Sequence, residues 1–150
     1  MKKFLLIALV LGVALSCKKT ITSNGIRSVP VSFQFNLNDP LYTKLNFSGS
    51  WQYLDGFGVR GIILTNFGGV IYALERDCPY NPNDSCSTVT VQTNSPTIAC
   101  GKYDIHKNWV PCCNSQFLLD GTLQKGPSVY SLKKYYVSQD PTTGSVTITN

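Results

Sequence analysis

The chain has 150 residues, of which 43% are hydrophobic and 14% are charged, and its formal net charge is +5. This length predicts one domain, and the apolar fraction argues against an intrinsically disordered chain. The basic residues are dispersed, with short doublets at 18–19 and 133–134 that are too small for a nucleic-acid-binding track, so we predict no nucleic-acid partner.

The N-terminus has the pattern of a secretory signal. Two lysines precede an apolar run at residues 4–15, which is followed by Ser16 and Cys17. The run is shorter than the roughly 20 residues that span a bilayer. It resembles a bacterial lipoprotein signal, which implies that residues 1–16 are removed and that Cys17 is acylated. Ala14 stands where that signal usually has Leu, so ordinary secretion with Cys17 trimmed away is the alternative.

Residues 17–28 are rich in Thr, Ser, Asn and Gly, and we predict that they form a flexible tether between the lipid and a domain at 29–150. An acylated Cys17 would make the membrane a partner, because several lipid chains give firm anchoring. The tether lacks the run of acidic residues that is associated with export of some bacterial lipoproteins to the cell surface. We therefore predict a cell-envelope protein on the outer membrane that faces the periplasm.

Alternating or β-branched segments predict an all-β domain. At 29–37 apolar residues occur at every second position, and the Asn-Asp-Pro sequence at 38–40 ends this strand. Glycines at 55–58 predict a hairpin connection, and 135–138 with 145–149 predict a closing hairpin. Further strands are predicted at 70–74, 87–92, 97–100 and 102–105, and helix is limited to a short turn near 74–77. There are no internal repeats and no second domain.

The cysteines carry the chemistry that the sequence offers. Beyond Cys17, the chain contains Cys78, Cys86, Cys100, Cys112 and Cys113. An envelope location favours disulfides, and an odd number leaves at least one thiol free or paired outside the chain. A bond between the adjacent Cys112 and Cys113 would strain the torsions that a disulfide prefers. Cys100 is interpreted as a small buried hydrophobic residue.

Little in the sequence supports hydrolytic catalysis. The single histidine, His106, lies in a polar turn between predicted strands, and no nucleophile motif adjoins it. Asp77, Asp84 and Asp120 show no paired spacing around a phosphate-binding loop, so surface or turn roles account for them. We predict no catalytic residue and a protein that is not an enzyme, with a role in electron transfer left open.

The segment from Trp109 to Pro127 resembles the second cluster-binding box of Rieske iron–sulfur proteins. That box runs Cys-Pro-Cys-His-Gly-Ser-x-Phe and ends in a Gly-Pro turn, and here Ser115, Phe117 and Gly126–Pro127 match it. Five segments extend the resemblance over nearly the whole mature chain: Val29–Val31, Asn38–Pro40, Val59–Ile63, Cys78–Tyr80 and Cys112–Phe117. With these segments, the chain most resembles small Rieske-like lipoproteins of Bacteroidetes-type bacteria. It implies a domain of stacked antiparallel sheets with two Cys-bearing loops at one tip.

A Rieske centre uses two thiolates on one iron and two imidazoles on the other. The resemblance places Cys78 and Cys113 at cluster positions, with Cys113 in place of a histidine, and it places Tyr80 and Val110 at the other two. Valine has no lone pair, and a tyrosine hydroxyl titrates near ~10. A standard cluster is therefore not expected, and Tyr80 either packs against its loop or lines a ligand pocket.

The resemblance also implies a disulfide between Cys86 and Cys112. It leaves Cys78 and Cys113 facing each other, where a second disulfide is possible, and each such bond typically adds ~2–4 kcal/mol of stability.

Three functional hypotheses remain. The first is a lipoprotein without a cofactor, stapled by disulfides, that serves as a binding or structural module for an envelope protein or small ligand. The second is a one-electron carrier with a 2Fe-2S cluster on altered ligands, and the third is a structural zinc site. Both metal hypotheses draw on Cys78, Cys86, Cys112 and Cys113, and they require that Cys86 and Cys112 are not bonded to each other.

Overall fold

The structure is a computed structural model that describes residues 25–150. The predicted signal peptide, Cys17 and most of the predicted tether lie outside the described residues. Ile26 is fully buried, so the packed part of the chain extends at least to this residue, within the stretch predicted to be a tether. No helix among residues 25–150 is long and apolar enough to cross a membrane.

The described residues form β-strands connected by turns, together with one short 3-10 helix at Thr43–Asn46. The strands are β1 Ser32–Asn36, β2 Trp51–Leu54, β3 Ile62–Phe67, β4 Val70–Glu75, β5 Val89–Val91, β6 Thr97–Tyr103, β7 Trp109–Leu118, β8 Leu123–Lys125, β9 Tyr136–Gln139 and β10 Ser145–Thr149. The predicted all-β class is confirmed.

The strands form three antiparallel sheets. Their orders are β1-β10-β9, β2-β3-β4 and β5-β6-β7-β8. Both predicted hairpins are present, since β2 pairs with β3 and β9 pairs with β10 in antiparallel register. The site described below lies where the third sheet meets the turn that follows β4.

Strand β3 links the two hydrophobic cores, because successive side chains of a strand point to opposite faces. Ile62 and Leu64 pack in the core shared with β1 and β10, whereas Ile63 packs in the core shared with β5, β6 and β7. All three side chains are fully buried. The β2-β3-β4 sheet is therefore the middle layer of the stack.

Two sequence predictions differ from the structure. The two short strands predicted at 97–100 and 102–105 are one strand, β6, with an irregularity in register between Ala99 and Gly101. The helical turn near 74–77 is wrong, because β4 continues to Glu75 and the short helix lies earlier, after the turn at 38–40. The second Cys-bearing segment lies within the ten-residue strand β7, and residues 112–115 have no ladder partner in β6, because the register jumps from Ala99–Gln116 to Gly101–Pro111.

Candidate functional site

The first cysteine segment, residues 77–88, connects β4 to β5. Its ends are joined by a bridge between Asp77 and Thr88, and the Ser87 hydroxyl donates a hydrogen bond to the Cys78 carbonyl at 3.1 Å. This closure turns Cys78 inward, and its side chain is fully buried.

Arg60 holds the first cysteine segment in place. Its Nε lies 2.9 Å from the Asp77 carboxylate, and its guanidinium also donates to the carbonyls of Pro82, Asp84 and Ser85. Burial raises the pKa of Asp77 to about 6, against the lowering effect of Arg60. One side chain thus connects the start of the segment with its middle.

Glu75 is the second support of this segment and is fully buried. Its carboxyl accepts hydrogen bonds from the backbone N–H groups of Val59, Arg60 and Asp77 at 2.8, 3.0 and 3.1 Å. The Tyr135 hydroxyl donates to it at 2.6 Å, and burial together with this contact raises the pKa of Tyr135. Glu75 was not predicted from the sequence, although an acidic residue at the end of an apolar strand was a usable signal, because a buried carboxyl must be hydrogen-bonded.

The second cysteine segment is the middle of strand β7. Cys112 and Cys113 are consecutive and lie in the part of β7 that has no ladder partner in β6. Cys112 forms a disulfide with Cys86, with a Cα–Cα distance of 5.4 Å, whereas Cys113 approaches Cys78. The predicted pairing of Cys86 with Cys112 is confirmed.

Three free thiols form a separate group, which we term the inner thiol group: Cys78, Cys100 and Cys113. Their Sγ atoms all lie within 4.8 Å of one another, and those of Cys78 and Cys113 are 3.8 Å apart. The Cys113 thiol also donates to the hydroxyl of Ser115 at 3.2 Å. Cys78 and Cys113 therefore face each other as the sequence suggested, as thiols that are not bonded to each other.

Cys100 changes the interpretation made from the sequence. It is buried, as expected of a small hydrophobic residue, but its Sγ points into the inner thiol group. The alternation of β6 was the available signal, because Ile98 and Cys100 lie on one face and Cys100 pairs with Val89 at the end of the first cysteine segment.

The thiols of this group differ in proton affinity. A hydrogen bond from Cys100 lowers the pKa of Cys78 to about 7, against the opposing effect of burial. The same hydrogen bond, followed by burial, raises the pKa of Cys100. Of these two thiols, Cys78 therefore loses its proton first.

The four-thiolate ligand set predicted for an altered cluster or a zinc site is not assembled. Cys86 and Cys112 are bonded to each other and are not part of the inner thiol group. The residues also do not fit a standard Rieske cluster. Val110 offers no donor atom and is 46% exposed, and the Tyr80 side chain is 54% exposed. Three sulfurs within 4.8 Å can surround one ion, whereas two irons need two separate ligand pairs.

A cleft of about 280 Å³ opens beside Cys113. Trp109, Pro111, Asn114 and Lys125 are among the residues that line it. Tyr80 is not part of this lining.

The remaining candidates are separate from the inner thiol group. His106 is exposed in the turn between β6 and β7, where its backbone N–H binds the Asp104 carboxylate. Asp120 binds the hydroxyl and N–H of Thr122, and Asp84 accepts from the Cys86 N–H at 3.4 Å. None of these contacts brings a base to a nucleophile. The antiparallel sheets and the meeting of the two cysteine segments are as the sequence predicted.

No family model and no curated protein matches the chain. Among solved structures, the chain is similar to the ferredoxin of carbazole 1,9a-dioxygenase from Nocardioides aromaticivorans IC177, with a TM-score of 0.45 and 18% identity over 81% of this chain and 97% of the other. It is also similar to a protein assigned as the small subunit of an NADH-dependent nitrite reductase from Mycobacterium tuberculosis, with a TM-score of 0.43 and 18% identity over 82% and 97%. At these values, neither likeness carries a conclusion about activity, ligands or partners.

Proposed function

We propose that this protein is a Rieske-like lipoprotein of the cell envelope that has no iron–sulfur cluster and acts as a non-catalytic binding or structural module. The observation that carries this proposal is the disulfide between Cys86 and Cys112. Because of this bond, two of the four thiolates that an altered cluster would need cannot serve as ligands. It also ties the two cysteine segments together without a metal.

A binding role has support in the surface around these segments. The cleft beside Cys113 is lined by an aromatic ring, a lysine and an amide, which suit a small polar ligand or a loop of a partner protein. Tyr80 and Val110 are both exposed at the positions where a cluster-binding protein would carry histidine and cysteine ligands. Under this proposal the former ligand positions form part of a contact surface.

A test of the cluster-free state uses the full chain purified under anaerobic conditions. The measurements are the visible absorption spectrum, the iron content, and the thiol and disulfide count after denaturation. We expect a colourless protein without iron that contains the Cys86–Cys112 disulfide. Stoichiometric iron with sulfur-to-iron charge-transfer bands would overturn the proposal and make the protein an electron carrier.

The envelope location is tested separately through Cys17. We expect the full chain to fractionate with the outer membrane and the Cys17→Ser variant to be lost from the membrane fraction, because several acyl chains are needed for firm anchoring. Cys100→Ala is the matched control and should stay in the membrane fraction. Equal fractionation of the Cys17→Ser variant and the unchanged chain would contradict lipid anchoring.

A further inference from the structure

The spacing of the inner thiol group matches that of ligands around one metal ion. A metal–sulfur bond of about 2.3 Å places two thiolates on the same ion about 3.8–4.0 Å apart. The Sγ atoms of Cys78 and Cys113 are 3.8 Å apart, and that of Cys100 lies within 4.8 Å of both. Small side-chain rotations would therefore bring all three sulfurs to one ion.

All the potential ligand atoms of this group are cysteine sulfurs. Within residues 25–150, the group that could hold an ion here contains three cysteines and no histidine or carboxylate. Sulfur ligands select soft ions such as Cu(I) and Zn²⁺ over hard ions that prefer oxygen. Zinc sites are almost always four-coordinate, whereas three thiolates complete the coordination shell of Cu(I). The number of ligands therefore favours Cu(I).

The surroundings provide both rigidity and access. Cys78 and Cys100 are buried in the core shared by β5, β6 and β7, so two ligands are fixed by packing. Cys113 is half-buried and lines the cleft, which gives an ion a path from solvent. The Ser115 hydroxyl, 3.2 Å from the Cys113 sulfur, can donate a hydrogen bond to it once that sulfur is a thiolate.

We propose that Cys78, Cys100 and Cys113 form a three-thiolate site for one Cu(I) ion. Binding forms three copper–sulfur bonds and releases the protons still held by the thiols to solvent, with no change in the oxidation state of copper or sulfur. The site goes beyond the proposed module function and is independent of it. Iron content tests the absence of a cluster, whereas copper stoichiometry tests this site.

The test is a titration of the full chain with Cu(I) under anaerobic conditions, in competition with a coloured Cu(I) chelator. We expect one Cu(I) per chain and an X-ray absorption spectrum with three sulfur neighbours. The Cys100→Ala variant should bind about 100-fold more weakly, because it loses one of the three metal–sulfur bonds. Cys113→Ser, at a half-buried position, is a second variant that should lose affinity even if Cys100→Ala folds poorly.

The matched control removes the other two cysteines. The double variant Cys86→Ala and Cys112→Ala keeps the inner thiol group and should bind Cu(I) as tightly as the unchanged chain. Loss of binding in this folded double variant would show that the proposal assigns the ligands to the wrong cysteines and would overturn it. Unchanged affinity in both Cys100→Ala and Cys113→Ser would also overturn it, as would a Cys78–Cys113 disulfide in the protein as isolated.

Discussion

The two cysteine segments reach the same place by different structural means. The first, residues 77–88, is an irregular turn held by buried polar groups, chiefly the Glu75 carboxyl and the Arg60 guanidinium. The second lies in strand β7, where the residues before it pair with β6 and the residues after it pair with β6 and β8.

This difference determines how strongly a substitution should destabilise each segment. A strand shares its support among many backbone hydrogen bonds, so the loss of one side chain has a limited effect. A turn fixed by a few buried polar groups depends on each of them, because removing one partner leaves the others unsatisfied. Substitutions should therefore act more strongly around the first segment.

The largest effect is expected for Glu75→Gln. The amide keeps one oxygen acceptor and places an NH₂ group against backbone N–H donors, so the free energy of unfolding should fall by about 3–5 kcal/mol. The measurement is equilibrium unfolding in urea. Tyr135→Phe is the control, since it removes only one donor to the same carboxyl and should cost about 1 kcal/mol. Similar losses in the two variants would contradict a central role for the carboxyl.

Loss of the disulfide should have the second largest effect on the free energy of unfolding. Cys86→Ser should lower the free energy of unfolding under oxidising conditions by about 2–4 kcal/mol, because the bond closes a loop with a sequence separation of 26. Cys112→Ser should cost about the same, and the double variant no more than either single one, since all three remove one bond. Losses that add together would show that the two side chains act separately.

Gly126→Ala tests how closely the Gly-Pro turn covers β7. A Cβ at this position would lie 2.5 Å from the Asn114 carbonyl oxygen, and the φ angle is +118°, so we expect a loss of about 2 kcal/mol. Gly56→Ala is the matched control because it also has positive φ but meets nothing within 4 Å. Its cost should be limited to backbone strain, about 1 kcal/mol. Equal losses in urea unfolding would mean that the turn can move away from β7.

The smallest effect is expected in the turn that connects β6 to β7. Hydrogen bonds from Asn108 lower the pKa of Asp104, so the charged carboxylate stabilises the folded state above the unfolded pKa of ~3.9. That contribution is lost as the pH falls through the lower folded value. Urea midpoints of the chain and its Asp104→Asn variant should therefore converge as the pH falls from about 5 to about 3. A constant difference between the two urea midpoints would show that the charge of this carboxylate does not stabilise the folded state.

Local patterns in the sequence predicted much of the fold. The alternation at 29–37 and the glycines at 55–58 gave strand β1 and the β2–β3 hairpin, because both depend on neighbouring residues. The two strands predicted at 97–100 and 102–105 are the single strand β6, because pairing with β7 resumes after the irregularity. The resemblance, and not the pattern, supplied the Cys86–Cys112 pairing.

The site was harder to predict because its parts are distant in sequence. Cys100 lies in a different strand from Cys113, and a long segment of chain separates it from Cys78. The alternating pattern of its strand indicated that Cys100 is buried, but it did not show that its sulfur lies beside those of Cys78 and Cys113. The role of Glu75 likewise depends on backbone groups of Val59 and Arg60, which belong to the turn before β3. Periodicity in a single sequence indicates which face of a strand is buried, and it does not identify the distant residues that lie against that face.

The burial of β3 on both faces has a consequence for how the molecule opens. Its side chains are shared between the two hydrophobic cores, and its backbone is paired on both edges, with β2 and with β4. Water can reach the amide protons of its central residues only when both cores separate. These protons should be the slowest to exchange with deuterium, and the two cores should unfold as one cooperative unit.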